Sequence, residues 1–177
     1  RSPVPRALDT GMYRYLEAGS KHLAAVTAAL GAASALIMTL ALLAGVFCRY
    51  VLNSSLSWSD EVALLAFSWT VFLFASVLTR EFGHVRVSIV VDALPGLPRH
   101  LLERGSVILI LLFGGLMLWA GWQFTAFTAH QVSPALRYPL WLQGAAVPAS
   151  GALIVFHALV LLFRPGQLGE HGGAVDE

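Results

Sequence analysis

Polar and apolar positions fall along the chain in long blocks rather than with a short period. Residues 23–47, 62–79, 105–127 and 140–163 are apolar blocks free of Asp, Glu, Lys and Arg. A helix rises about 1.5 Å per residue, so about 20 residues cross a hydrocarbon core roughly 30 Å thick. Three blocks exceed that length, and the second, bounded by Glu61 and Arg80, just reaches it. In lipid every backbone polar group must be paired within the protein, which a helix does by itself and an isolated strand does not. The blocks therefore predict an all-α membrane protein with four transmembrane helices and short loops.

The block ends carry the local signals. Ser57 suits an N-cap for the second helix, with Asp60 three residues on as a capping-box partner. Asp60 and Glu61 then lie in the first turn, at the positive end of the helix dipole. The first block holds small residues four apart, Ala28/Ala32, Gly31/Ala35 and Ala41/Gly45, a spacing that lets a second helix approach closely. Trp119, Trp122, Phe124 and Phe127 gather at the end of the third block, as an interfacial aromatic belt does. Pro148 cannot donate to the carbonyl of Gly144, so the fourth helix is expected to kink there. Between the second and third blocks, Val85, Val87, Ile89 and Val91 alternate as in a strand. Val87, Val90, Val91 and Leu94 fall at helical spacing. The cost of unpaired strand edges favours a short interfacial helix ended by Pro95.

Charge sets the orientation. With the N-terminus inside, Arg1, Arg6, Arg14, Lys21, Arg80, Arg86, Arg99, Arg104 and Arg164 fall on the inner side, and only Arg49 and Arg137 fall outside. Cytoplasmic loops carry the excess of Lys and Arg, so both termini are expected to be cytoplasmic. The division is then a cytoplasmic segment 1–22, a four-span domain 23–163 and a cytoplasmic tail 164–177. Composition agrees with the patterning: 57% of residues are hydrophobic and 12% charged, against about 25% charged in soluble domains. A net charge of +1 gives no reason to expect nucleic acid as a partner. Membrane lipid is the expected surrounding.

The chemistry inside the blocks is sparse. Transporters that conduct ions or charged solutes keep ionisable groups or broken helices at membrane depth, whereas here only His157 sits within a span. His22 and His157 fall near the same side, and paired histidines can hold haem between helices. A haem-binding anchor of an oxidoreductase is thus the alternative reading. Asp60 and Glu61 diverge by about 100° on a helix and do not face each other, so they suit helix-end roles better than an acid–base pair. Cys48 is the single cysteine, which excludes an internal disulfide. No phosphate loop, zinc spacing or nucleophile constellation is present, and no enzyme activity, catalytic residue, metal or cofactor is expected.

Arg49-Tyr50, Asn53, Trp58, Asp60-Glu61, Trp69, Arg80 and His84-Val85-Arg86-Val87 together resemble the small membrane subunit, DctQ type, of tripartite ATP-independent periplasmic (TRAP) transporters. The family pattern is an Arg-Tyr closing the first span and a Trp before an acidic pair. A span with a central Trp and a closing His-aliphatic-Arg follow. Leu64 stands where that pattern often has an Arg, which removes one possible ion-pair partner for Asp60 or Glu61. Phe74 lies near where it often has a Gly. The resemblance implies a multi-pass protein of the bacterial inner membrane. It implies a large membrane subunit (DctM type) that carries the transport path, and a periplasmic substrate-binding protein (DctP type) that delivers an organic acid under a sodium gradient. The partner or interface candidates it marks are Arg49, Trp58, Asp60, Glu61, Trp69, His84 and Arg86.

Overall fold

The computed structural model describes the backbone of residues 7–82 and 97–162 and the side chains of residues 15–81 and 105–162. Within these limits the chain is helical and contains no strand. It comprises α1 (Ala7–Tyr50), α2 (Ser57–Phe82), α3 (Leu97–Phe127), the single turn α4 (Trp141–Gly144) and α5 (Ala146–Leu162). Four stretches are long and apolar enough to cross a membrane: Tyr15–Tyr50, Ser57–Glu81, Gly105–Phe127 and Trp141–Leu162. The segment expected to form an interfacial helix after α2 lies outside the described residues.

The helices run up and down, with α1 along α2, α3 along α5, and α2 against α5. α2 and α5 therefore form the centre, and α1 and α3 flank it. Burial follows this order, greatest in the fourth span and least in the third. Large apolar side chains of the flanking helices, such as Leu40 and Leu43 on α1 and Leu109, Leu112 and Leu116 on α3, point outward. In water such a surface would be unstable, but against lipid tails it carries no penalty. Helix association then depends on close packing, not on hiding oil from water.

Close packing comes from small residues. A Cβ added to Gly31 would meet the Phe74 ring at 3.2 Å, so that ring lies flush against the α1 backbone. At Gly121 the same atom would come 2.8 Å from the backbone nitrogen of Pro148, and at Gly151 2.6 Å from that of Leu118. α3 and α5 thus meet backbone to backbone. Of the small residues paired four apart in the first block, Gly31, Ala41 and Gly45 are buried, whereas Ala32 is exposed. The close approach near Phe74 exists, with the glycine on α1 rather than on α2.

Two helix ends have identifiable causes. Past the end of α1, Asn53 takes φ 51°, a left-handed value that Asn tolerates better than most residues, and the Ser54 N–H reaches back to the Cys48 carbonyl at 3.0 Å. In the fourth span the helix is interrupted at Ala145, between α4 and α5, one turn before Pro148. Polar side chains within spans mostly bond to their own helix: Thr39 donates to Ala35 O, Ser68 to Leu64 O, Thr70 to Ala66 O and Ser76 to Leu73 O. They are satisfied locally and line no polar path.

Candidate functional site

At the end of the bundle where α1 turns into α2 and α3 into α4, the residues singled out by the sequence gather. Arg49 closes α1 and its Nη2 lies 3.9 Å from Asp60 Oδ2, with both side chains more than half exposed. Arg49 thus supplies the cation that a residue at position 64 does not. An exposed pair at this distance orients more than it stabilises.

The expected capping box is not formed. α2 already begins at Ser57, and Asp60 turns sideways to Arg49. Ser59 instead donates to the Leu56 carbonyl at 2.9 Å. The helix-end reading of the acidic pair assumed local partners, but a nearby guanidinium is a stronger partner for a carboxylate than an amide already close to water.

Glu61 reaches furthest. Its Oε1 accepts the Ala135 N–H at 2.7 Å and its Oε2 accepts the Leu136 N–H at 2.8 Å. Both carboxylate oxygens are therefore committed to the loop between α3 and α4. That loop is itself closed: Val132 bridges Pro139, the Ser133 N–H donates to Tyr138 O at 2.9 Å, and the Leu140 N–H donates to Gln131 O at 2.9 Å. Ser133 Oγ accepts the Tyr138 N–H at 3.2 Å. Arg137, at the tip, takes φ 55°. The Tyr138 O–H donates to Gln143 Oε1 at 3.2 Å. Burial, and then the negative charge of Glu61, push this phenol above its usual value and keep it a donor.

Trp69, half-buried two turns further into α2, donates its indole N–H to the Leu142 carbonyl at 3.0 Å. It reaches α4 beside the interruption at Ala145. One turn deeper, Ser150 Oγ donates to the Phe72 carbonyl at 2.6 Å. Trp58 is 40% exposed at the same end as Arg49. The cluster therefore holds Arg49, Asp60 and Glu61 within one short stretch, with Trp69 below them and Trp58 on the surface. His84 and Arg86 lie outside the described residues.

Sequence reasoning missed the acceptors and donors across the bundle. Nothing in the local pattern marks Ala135 and Leu136 as partners of Glu61, because backbone groups carry no residue signature. At the opposite end, Ser20 Oγ and His157 Nδ1 lie 2.9 Å apart and tie α1 to α5. The His157 ring is 1% exposed, so protein encloses it and leaves no open edge for a porphyrin. His22 is exposed. The two histidines do not face each other across a shared cavity, and the haem alternative loses its geometric basis. Among the described residues there is no group of three or more His, Cys, Asp or Glu that could hold a metal ion.

Residues 38–167 match the family model described as tripartite ATP-independent periplasmic transporters, DctQ component. The chain is 28% identical over 128 residues to the C4-dicarboxylate TRAP transporter small permease protein DctQ of Rhodobacter capsulatus. That match covers 69% of this chain and 56% of the relative, little more than half its length. A putative TRAP transporter small permease protein of Haemophilus influenzae is 25% identical over 118 residues, covering 67% of this chain and 73% of the relative. The sialic acid TRAP transporter small permease protein SiaQ of Vibrio cholerae is 25% identical over 116 residues, covering 66% and 67%. The cluster from Arg49 to Trp69 and the loop that it grips both fall within the matched region.

Proposed function

The chain belongs to the DctQ component family of tripartite ATP-independent periplasmic transporters, and on that premise we propose that it is the scaffold, not the conduit, of a sodium-driven organic-acid transporter. Members of the family are transporter components and not enzymes. The four apolar helices and the TRAP permease relatives make the chain a multi-pass inner-membrane protein.

The observation that carries the scaffold reading is the interior of the spans. No Asp, Glu, Lys or Arg stands in residues 23–47, 62–79, 105–127 or 140–163, and the hydroxyls of Thr39, Ser68, Thr70 and Ser76 bond to their own helices. A pathway for a carboxylate and a sodium ion needs groups that replace their water. In this reading a large DctM-type subunit supplies that pathway. This chain widens and anchors the fixed part of that subunit, and its short-loop end faces the periplasm and helps to seat a DctP-type substrate-binding protein. The names of two relatives specify C4-dicarboxylate and sialic acid, both acids, which supports an organic acid here. Both termini are cytoplasmic in this arrangement, by the excess of Lys and Arg on that side.

Reconstitution tests it. Liposomes holding this chain together with its large subunit take up the acid when the binding protein is added, and liposomes holding this chain alone do not. Uptake by this chain alone at the rate of the full complex would sink the scaffold reading. Single cysteines at Ser57 and Ser88 test the orientation, with labelling of Ser57 expected from the periplasmic side. Labelling of Ser57 from the cytoplasm alone would reverse the topology.

A further inference from the structure

Residues 131–140 form a small closed loop whose shape is heavily determined. The Val132–Pro139 bridge closes its base, Ser133 and Tyr138 bond to each other through two N–H groups, and Glu61 grips the amides of Ala135 and Leu136 from another helix. Arg137 follows directly with φ 55°, a conformation that a long side chain rarely adopts unless its surroundings impose it. The consequence is a fixed tip. Leu136 is 45% exposed there and Arg137 is exposed beside it.

Charge distinguishes this tip from the rest of the cluster. Arg49 is matched by Asp60, and both oxygens of Glu61 are occupied by loop amides. Among the described residues Arg137 has no ion-pair partner. A guanidinium left uncompensated beside an exposed leucine, on a loop already ordered, needs little further ordering to bind. That lowers the entropic cost of association. Its complement is a protein surface with a carboxylate at the edge of an apolar patch.

We propose that Glu61 is a positioning residue that locks the 131–140 loop, and that Leu136 and Arg137 at its tip form a contact point for an acid-rimmed apolar patch on the soluble substrate-binding partner. This rests on the reading of the chain as a subunit that seats that partner, and names the residues that do so. Phospholipid headgroups are the competing destination for Arg137 and are separated by the test.

The complex of this chain with its large subunit is reconstituted into proteoliposomes, and uptake is titrated with the soluble binding protein of the same transporter. Arg137→Glu raises the half-saturating concentration of binding protein by about tenfold or more, as a like charge set against a carboxylate does. Arg137→Lys, which keeps the charge, recovers most of that loss. Glu61→Gln raises it less and speeds amide exchange at Ala135 and Leu136, whereas a merely structural Arg137 would leave the half-saturation of the assembled complex unmoved. The wild-type half-saturation rises with salt, and Arg137→Ala flattens that dependence. An Arg137→Glu complex that still contains the large subunit and saturates at the wild-type concentration overturns the proposal. So does a half-saturation that follows the anionic-lipid content of the vesicles in the wild type and not in Arg137→Ala, which would place Arg137 on headgroups. A wild-type complex whose uptake ignores the binding protein overturns the preceding functional reading, and this proposal with it. The two failures are therefore distinct.

Discussion

At the short-loop end, Glu61, Asp60, Arg49 and Trp69 hold the bundle by reaching out with polar groups. Halfway along it, Gly31, Gly114, Gly121 and Gly151 hold it by presenting almost nothing. Water is the reason for the difference. Near the bilayer surface a carboxylate is hydrated, can be built in without a large desolvation cost, and finds loop amides that need acceptors. In the hydrocarbon the same group would be expensive, and apolar side chains gain nothing from leaving lipid for protein. What remains is contact itself, which is closest where the side chain is absent. The same chain therefore uses directional bonds at one depth and shape at another.

The sharpest way to break this comparison is to add side chain where shape carries the load. Gly151→Val places its Cβ 2.6 Å from the backbone nitrogen of Leu118, which cannot swing aside. Overpacking of this kind costs about 1–3 kcal/mol or more, read as a lower melting midpoint of the purified protein and poorer recovery of monodisperse material. Gly115, the next residue after the interfacial Gly114 but with nothing within 4 Å of an added Cβ, is the matched control. Gly115→Ala leaves the midpoint unchanged or raises it, since Ala is the better helix former.

At the polar end the expected effects are smaller and more local. Glu61→Gln keeps the shape and removes the charge, and one of its two terminal atoms becomes a donor facing an amide. Hydrogen exchange is expected to accelerate at Ala135 and Leu136 while the spans stay protected. Equal protection in both proteins would mean that the loop holds its own shape without Glu61. Trp69→Phe removes the indole N–H from Leu142 and preserves most of the packing. Its cost is about 0.6–1 kcal/mol, the range for a single hydrogen bond of this type in a membrane protein. Asp60→Asn, in an exposed pair at 3.9 Å, leaves the melting midpoint unmoved within measurement. If Asp60→Asn proved more damaging than Gly151→Val, the division between polar end and shape-packed middle would fail.

The spans were legible because lipid imposes a length and a composition that no other environment demands. Four blocks without formal charge sufficed to predict four membrane-crossing helices, and the motif from Arg49 through Val87 sufficed to suggest the family. Pairings between distant residues were not legible. Glu61 and its loop amides are 74 and 75 positions apart, and a carboxylate beside a helix start offers a nearer explanation that happened to compete. His157 drew attention as a polar residue within a span, and a haem pair was the available use for it. Its partner is the hydroxyl of Ser20, which lies just ahead of the first block with nothing to mark it out. Phe74 shows the same limit: a departure from the family pattern at one position is absorbed by a glycine on another helix, and only the packing shows which.

α1 runs without interruption for 44 residues, which at 1.5 Å per residue is a rod about 66 Å long. Even inclined at about 40°, a helix needs only about 26 residues to traverse the hydrocarbon. Well over a dozen residues of α1 must therefore stand outside it, as a stem continuous with the part that lies along α2. A helix transmits torsion and displacement along its axis far better than a jointed connection does. Whatever grips that stem has a mechanical handle on the opposite face of the bilayer.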